Sequence, residues 1–328
     1  MNNNMLNGQR VLITGVSGFL GLALCHQLNV ANANVTGLDS QPVLVGNTSY
    51  ERLLARPHQF VQFDLLDPQL DAFLAKQQFD VIFHLAGMAY AADSINNPAS
   101  DFSNNLAASF RLLEALRRCR FGGRLVFASS AAVYGEPEIT PITEGCPVRP
   151  ISPYGISKLT VEEDSRVYAQ QVGFEVAIAR LFSLYGPRQQ KQVVFDIMRK
   201  TLLSDKPITL FGDGQEVRDF VYVEDAARAL MHLAHHATID APVFNVCSAE
   251  GITIRALASL IVKLAGQDNE RITFSGNHRQ GDPHQCVGCN TALIERGFSA
   301  EYSLITGLQA TLRWFCQHHA LTPTTHCP

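Results

Sequence analysis

The sequence of 328 residues lacks an excess of positive charge, a long apolar run and a regular spacing of cysteines. Its 26 Lys and Arg residues are outnumbered by 30 Asp and Glu residues, which argues against a protein that binds nucleic acid by neutralising its phosphates. No uninterrupted apolar stretch reaches the length of a membrane span, so we expect no membrane partner. The eight cysteines show no framework spacing, and a chain this long does not need disulfides, which favours a cytoplasmic location.

Short apolar segments alternate with longer segments of helical periodicity through the first two thirds of the chain. Continuous apolar segments indicate strands of a parallel sheet that helices cover on both faces. The alternation predicts an α/β fold with a doubly wound parallel sheet. The predicted strands are residues 11–14, 35–38, 60–63, 81–85, 124–128, 176–180 and 243–246, and the predicted helices include residues 18–28 and 106–118.

The alternation of strand and helix segments ends after about residue 183, where Gly, Pro and charged residues occur in loops. The length of the chain also suits two lobes that share one cleft. We therefore expect a larger lobe, residues 1–182, to which residues 219–246 return. A smaller C-terminal α/β lobe, mainly residues 183–328, is expected to hold the substrate.

Three glycines stand between the first predicted strand and the helix after it, in the segment Thr14-Gly-Val-Ser-Gly-Phe-Leu-Gly21. Gly15 permits a tight turn, Gly18 lets the backbone approach a pyrophosphate, and Gly21 allows close packing of the helix. Asp39 follows the second strand at the distance where a carboxylate receives the ribose hydroxyls of a dinucleotide. Because a carboxylate repels a 2′-phosphate, the sequence predicts an NAD site rather than an NADP site.

A second motif, Ser152-Pro-Tyr-Gly-Ile-Ser-Lys158, places a phenol and an amine on one helix. Ser152 suits the N-cap and Pro153 the first helical position. Tyr154 and Lys158 are four residues apart and share a helix face. Since a buried ammonium beside a phenol favours the phenolate, we expect the pKa of Tyr154 to be lowered toward neutrality.

The order and spacing of these motifs resemble those of extended short-chain dehydrogenases/reductases of the NAD-dependent epimerase/dehydratase family. The spacing Gly15-x-x-Gly18-x-x-Gly21 and the segment Ser129-Ser-Ala-Ala-Val-Tyr-Gly135 carry the resemblance, which runs from about residue 11 to residue 315. It implies a Rossmann-type NAD-binding domain in the larger lobe, where Ser130 hydrogen-bonds the reacting oxygen beside Tyr154. It also implies further contacts with NAD, from Phe19, Leu20, Asp64, Leu65, Leu85, Ala86, Gly87, Asn104 and Lys158, with Asn104 opening a helix.

The smaller lobe resembles the sugar-nucleotide site of nucleotide-sugar epimerases in the segment from Gly212 to Asp225. This resemblance implies that Arg218 clamps the diphosphate of the substrate. Arg279 would form a second clamp, and Asp282 would lie near the nucleoside ribose. Ser130 and Tyr154 would touch the sugar itself.

Two positions in this lobe bear on the sugar. Ser183 stands where Asn is usual in the family, and the resemblance implies that the residue at this position contacts the substrate. Cys286 falls where a side chain closes the sugar pocket beside carbon 2, and its small size would leave room for an N-acetyl group. Cys286 and Cys289 also form a Cys-x-x-Cys pair, but one such pair supplies only two ligands, so we expect no metal.

The resemblance favours a nucleotide-sugar 4-epimerase that acts on UDP-hexose or UDP-N-acetylhexosamine by transient oxidation at carbon 4, and a homodimer is expected. Ala131 and Ala132 stand where sugar dehydratases of the family carry an acidic pair, so elimination of water is disfavoured. Two alternatives stay open. One is a 4-keto-6-deoxy nucleotide-sugar reductase, which Ser183 permits, and the other is a catalytically silent NAD-binding protein.

Overall fold

The computed structural model describes residues 6–43, 46, 48–54, 56–204, 206–268, 271–277 and 281–321. Its strands are β1 (Arg10–Thr14), β2 (Asn34–Asp39), β3 (Gln59–Gln62), β4 (Val81–His84), β5 (Arg124–Ser130), β6 (Glu175–Leu181), β7 (Ser183–Tyr185), β8 (Ile208–Leu210), β9 (Val217–Tyr222), β10 (Val243–Val246), β11 (Gly251–Thr253), β12 (Ile272–Phe274) and β13 (Gln285–Cys286). Its helices are α1 (Phe19–Val30), α2 (Ser49–Leu53), α3 (Leu70–Gln77), α4 (Ala91–Asn96), α5 (Pro98–Asp101), α6 (Ala108–Arg118), α7 (Pro153–Val172), α8 (Gln192–Leu202), α9 (Val223–Leu233), α10 (Ile254–Leu264), α11 (Thr291–Ile294) and α12 (Leu304–His318).

Seven strands form the main sheet, in the order β10-β6-β5-β4-β1-β2-β3, and all neighbouring pairs run parallel. From β1 the chain first adds β2 and β3 on one side and then crosses to β4 on the other. The strand order therefore reverses between β1 and β4, and in such sheets ligands bind at the carboxyl ends of the strands at this reversal. The doubly wound parallel sheet predicted from the sequence is confirmed.

Helices cover both faces of the main sheet, which explains why its strands are continuously apolar. On one face, α1 and α9 share a buried core that contains Leu24 and Leu230. On the other face, α3, α6 and α7 contribute Leu74, Leu112 and Val161 to a second core. Side chains on both faces of a strand are removed from water, so a hydrophobic side chain at each strand position stabilises the fold.

One predicted helix differs from the structure at its start. The helical run that contains Asn104 begins at Pro98 rather than at the asparagine, and a π-helical turn, Phe102–Ala107, separates α5 from α6. Asn97 caps the run, because its side chain accepts a hydrogen bond from the backbone of Ser100 at 3.1 Å. The wider π turn displaces the apolar positions from the three-to-four-residue spacing of an α-helix, so the periodicity in the sequence began only after it.

A second, smaller sheet is built around β9. This strand pairs with β7 and β13 in parallel and with β11 in antiparallel orientation, and β8 and β12 form a separate pair. A third core, with Ile197, Leu257 and Phe315, lies beneath these strands. The chain then returns through α9, which packs on α1, to β10 in the main sheet. The division into two lobes at residue 183 stays a prediction.

Two further sequence predictions concern membranes and cysteines. None of the helices in the described part of the chain has both the length and the apolar character needed to cross a membrane. Among the described residues, six cysteines form no disulfide, whereas Cys316 is disulfide-bonded. The sequence argument that a chain of this length does not need disulfides therefore does not exclude one.

Candidate active site

The glycine loop lies at the carboxyl end of β1, where the strand order of the main sheet reverses. Gly15 has a φ of +78°, and a Cβ there would lie 2.7 Å from the backbone nitrogen of Ala86 in the loop after β4. A Cβ on Gly21 would lie 2.2 Å from the carbonyl oxygen of Gly15. Only glycine fits at either position. Gly15 lets the loops after β1 and β4 come into direct contact, and Gly21 lets α1 pack closely against the loop after β1. Phe19 and Leu20 begin α1 and pack against the first core.

Asp39 ends β2 beside the glycine loop. One of its carboxylate oxygens accepts a hydrogen bond from the backbone of Ser17 at 2.9 Å, and the other accepts one from Gln41 at 2.9 Å. Its carboxylate is therefore held at the same edge of the sheet as Gly18. Asp64 and Leu65 follow β3 nearby in the strand order; Asp64 is exposed, and Leu65 is buried in the second core.

The loop after β4 contains Leu85, Ala86 and Gly87, which were predicted to line NAD. The side chain that packs on this loop is Asn105, which accepts a hydrogen bond from the backbone of Met88 at 2.9 Å. A Cβ on Gly87 would lie 2.3 Å from the Asn105 amide oxygen. Asn104 is exposed and donates to the carbonyl of Ser100 at 2.8 Å, so the structure brings Asn105, rather than Asn104, to the loop.

The catalytic candidates lie at the start of α7. Ser152 caps this helix by accepting a hydrogen bond from Gly155 at 3.2 Å, and Pro153 is its first residue. The backbone of Tyr154 donates to Ser94 of α4 at 3.1 Å, which fixes the first turn against the neighbouring helix. Tyr154 and Lys158 are both buried, with 8% and 6% of their surface exposed.

Ser130 ends β5 and faces Tyr154. Its hydroxyl oxygen accepts a hydrogen bond from the backbone of Ala132 at 3.1 Å, which leaves the hydroxyl proton to be donated. Ser130 and Tyr154 are joined by a side-chain hydrogen bond. The structure therefore brings together a hydroxyl from the end of a strand and a phenol from the start of a helix, at the carboxyl edge of the sheet.

The predicted direction of the pKa shift of Tyr154 is wrong. Burial raises the pKa of Tyr154 to about 12, the hydrogen bond with Ser130 opposes this increase, and Asp101 adds to it. The ammonium of Lys158 does not face the phenol oxygen; it donates to the carbonyl of Ala128 at 3.0 Å and lies 5.8 Å from the centre of the Tyr154 ring. Desolvation of the phenolate therefore exceeds any attraction from Lys158.

The pKa of Lys158 is also shifted by the surroundings of its ammonium group. Burial lowers the pKa of Lys158 to about 8, and the carboxylates of Asp101 and Glu162 oppose this decrease. The ammonium lies 4.9 Å from the centre of the Phe127 ring. Burial, and then the charge of Lys158, lower the pKa of the neighbouring His84 to about 3, so His84 is neutral at physiological pH. Its ring nitrogens contact the Thr14 and Ser109 hydroxyls at 2.7 and 2.8 Å.

Three of the predicted substrate residues, Arg218, Asp282 and Cys286, lie on or near β9 and β13. Arg218 is 9% exposed, donates to the carbonyls of Val217 and His284, and forms an ion pair with Asp282 at 3.3 Å. The backbone of His284 in turn donates to the carboxylate of Glu136 at 2.9 Å. Glu136 follows the Ser130 segment closely, so this contact joins that segment to the residues just before β13. Arg279 lies outside the described residues.

Ser183 and Cys286 lie on two strands that both pair with β9. Ser183 begins β7 and pairs with Phe220, and Cys286 pairs in register with Arg218. Burial raises the pKa of the Cys286 thiol to about 12, so it is a neutral, small side chain in this place. Cys289 contacts the hydroxyl of Thr291 at 3.2 Å. Within the described residues, no three His, Cys, Asp or Glu side chains are placed to hold a metal ion.

The sequence and the fold both match a family of known proteins. The pattern of the NAD-dependent epimerase/dehydratase family matches residues 11–247 of the chain. The chain belongs to this family. The family resemblance found in the sequence is thus confirmed, and with it an NAD-dependent enzyme.

Individual members of the epimerase/dehydratase family are similar along most of the chain. An uncharacterized UDP-glucose epimerase of Bacillus subtilis is 34% identical over 268 residues, which are 79% of this chain and 83% of that protein. The UDP-glucose 4-epimerase of Thermus thermophilus, solved with NAD, has a TM-score of 0.82 and 30% identity, over 93% of this chain and 98% of that one. The UDP-N-acetylglucosamine 4-epimerase of Methanobrevibacter ruminantium, solved with UDP-N-acetylmuramic acid, has a TM-score of 0.83 and 27% identity, over 95% and 99%.

The residues at the sheet edge fit the NAD of this epimerase/dehydratase family. Among the described residues, no side chain caps α1 at Gly18, so the amide groups of its first turn are available to phosphate oxygens. Asp39 offers its carboxylate at the end of the neighbouring strand. Gly15 leaves no side chain between the two loops that would flank the dinucleotide, since a Cβ there would meet the backbone of Ala86.

Sequence reasoning missed a buried polar network behind these residues. Glu162 of α7 is fully buried and forms an ion pair with Arg180 of β6 at 2.7 Å. Ser129 donates to the same carboxylate, and Arg180 also donates to Tyr134 at 3.0 Å. The signal in the sequence was a Glu eight residues after Tyr154, on the sheet-facing side of α7, and an Arg inside an apolar strand. Each polar residue in an otherwise apolar pattern needed a buried partner.

Proposed function

We propose that this protein is an NAD-dependent nucleotide-sugar 4-epimerase, with UDP-hexose or UDP-N-acetylhexosamine as its substrate. The observation that carries the proposal is the hydrogen-bonded pair of Ser130 and Tyr154 beside Lys158, at the sheet edge where the glycine loop lies. The similarity to UDP-sugar 4-epimerases along the length of the chain supports this choice over a reductase. An intact Ser130, Tyr154 and Lys158 argue against a catalytically silent protein.

In the proposed reaction, Tyr154 acts as the phenolate, whose oxygen takes the proton of the sugar 4-hydroxyl and later returns it. Ser130 donates its hydroxyl proton toward the reacting oxygen, because its own acceptor position is occupied by the backbone of Ala132. Lys158 supplies a fixed positive charge beneath the phenol. Bound NAD would supply the hydride acceptor for carbon 4, and its positive charge would favour the phenolate form of Tyr154. The 4-keto sugar turns about its diphosphate linkage before it is reduced on the opposite face.

The substrate contacts are proposed from the smaller lobe. Arg218 would bind the diphosphate of the UDP-sugar, since a planar guanidinium suits phosphate oxygens. Asp282 forms an ion pair with Arg218 and would shift to the nucleoside ribose when the diphosphate binds. Arg279 is proposed as the second clamp on the diphosphate. Ser183 is proposed to contact the sugar from β7.

The proposal is tested by supplying UDP-glucose or UDP-N-acetylglucosamine without any added reductant. An epimerase returns its cofactor to the starting state in each cycle, so we expect each protein molecule to convert many molecules of substrate to the 4-epimer. The products are followed by nuclear magnetic resonance of the anomeric proton. Turnover that stops after one equivalent and resumes on addition of NADH or NADPH would instead identify the 4-keto reductase.

A second prediction concerns the size of the sugar. Cys286 is proposed to close the pocket beside carbon 2, so Cys286→Tyr should lower kcat/KM for UDP-N-acetylglucosamine by about 10- to 200-fold and affect UDP-glucose less, because the larger side chain displaces the N-acetyl group. Cys286→Ser is the matched control, since it keeps the small size and should leave both substrates little changed. Equal losses on the two substrates with Cys286→Tyr would limit Cys286 to a packing role.

The homodimer is also proposed, through the outer faces of α6 and α7. Phe102, Phe110, Ile156 and Val167 lie on these helices or on the π turn before α6, and each is about half exposed. Phe110 makes an edge-on contact with Tyr168, which holds the two helices together. An apolar surface of this kind on neighbouring helices suits a second copy of the chain. Sedimentation of the purified protein measures the number of subunits in the assembly directly.

The cytoplasmic location stays a prediction.

A further inference from the structure

Asp101 is a buried carboxylate beneath the catalytic helix, outside every motif of the sequence. It ends α5 and is 1% exposed. One of its oxygens accepts a hydrogen bond from the hydroxyl of Ser157 at 2.7 Å, and the other accepts one from the amide of Asn105 at 2.6 Å. Ser157 lies between Tyr154 and Lys158 in α7. The carboxylate is thus held against the turn of α7 that carries the catalytic pair.

The two hydrogen bonds that hold Asp101 come from neutral groups, so they leave its charge uncompensated. A buried carboxylate of this kind is costly unless a positive charge lies close by. Lys158 is a buried cation of the same region. The charge of Asp101 raises the pKa of Lys158 and also raises the pKa of Tyr154, so the carboxylate acts on both catalytic groups.

The other groups that face Lys158 contribute less to this role. Glu162, on the same helix, accepts hydrogen bonds from Arg180 at 2.7 and 3.0 Å, so its charge is already compensated. His84 of β4 is neutral because its pKa is lowered to about 3 by burial and then by Lys158. Tyr154 is a neutral phenol in this structure, and β5 presents the Phe127 ring and the Ala128 carbonyl.

We propose that Asp101 is the counter-charge of Lys158, a positioning residue that keeps the ammonium charged in its buried place. The same carboxylate ties α7, through Asn105, to the backbone of Met88 in the loop proposed to line NAD. The π-helical turn Phe102–Ala107 carries Asn105 to this loop, and such turns are frequent at functional sites. The catalytic consequence rests on the proposed epimerase function, whereas the charge pairing does not.

The test measures the titration of Lys158 without the need for turnover. The chain has only six lysines, so protein labelled with carbon-13 at lysine Cε gives few signals, and Lys158→Met identifies the one from Lys158. Asp101→Asn removes the charge and keeps the shape, and it should lower the titration midpoint of Lys158 by about one pH unit. Ser157→Ala removes a hydrogen bond and keeps the charge, so its midpoint should match the wild type.

A second readout is the pH profile of kcat/KM. Because Asp101 raises both pKa values, Asp101→Asn should move both limbs of the profile to lower pH by about one unit. Ser157→Ala should leave their positions unchanged. If Asp101→Asn shifts the Lys158 titration but the wild-type protein has no epimerase activity, only the proposed function is overturned and the charge pairing stands.

The counter-charge role is overturned if Asp101→Asn folds and leaves the Lys158 midpoint where it was. It is equally overturned if Ser157→Ala moves the midpoint as far as Asp101→Asn does, since a displaced helix would then be the cause. Asp101→Ser serves as a second neutral variant should Asp101→Asn not fold. If neither neutral variant folds, the carboxylate belongs to the stability of the fold, and the proposal fails.

Discussion

Tyr154→Phe should lower kcat by about 100- to 10,000-fold, the typical loss when a general base is removed, and should leave NAD binding in place. The substitution keeps the ring, which is 8% exposed at the start of α7, and removes only the oxygen that is hydrogen-bonded to Ser130. The measurement is steady-state epimerisation of a UDP-sugar, together with the NAD content of the denatured protein.

Tyr168→Phe is the matched control for this substitution. Tyr168 lies near the other end of α7, where its hydroxyl donates to Glu114 at 2.9 Å. It should keep kcat within a few-fold of the wild type, because that hydroxyl is remote from the sheet edge. Activity in Tyr154→Phe at a level close to that of Tyr168→Phe would mean that another group accepts the proton.

Glu162→Leu should lower the free energy of unfolding by about 3–5 kcal/mol, because it leaves the guanidinium of Arg180 buried without its partner. The side chains of Arg180 and Glu162 are 6% and 0% exposed, so water cannot replace the lost contact. Burial opposes the charge of Arg180, but its hydrogen bonds to Glu162 more than offset this and hold the pKa of Arg180 above its usual value. Denaturant unfolding measures the change.

Two comparisons separate the ion pair from other effects of the substitution. Glu163→Gln, one residue along α7, breaks the exposed pair with Arg166 and should cost no more than about 1 kcal/mol. The double variant Glu162→Leu, Arg180→Met should recover most of the lost stability, since neither charge is then left buried alone. A double variant as unstable as Glu162→Leu would place the cost in packing rather than in the unpaired charge.

The parts of the site that could be read from the sequence are those whose chemistry lies in consecutive residues. Gly15 and Gly21 stand next to the strand and helix that they join, and each acts through its lack of a side chain. Tyr154 and Lys158 share one helix, with its cap and first proline just before them. Spacing of this kind is set by local backbone geometry, so it can be recognised before the chain is folded.

Only the tertiary structure decided which polar groups are buried together and what charge each of them carries. Ser157 and Asp101 are 56 residues apart, and Tyr134 and Arg180 are 46 residues apart, so no local pattern marks them as partners. The pKa of Tyr154 was predicted in the wrong direction for the same reason. The sequence determined that a phenol and an amine share a helix face, whereas the depth of their burial, and hence the cost of ionising the phenol, depends on the strands and helices that pack around them.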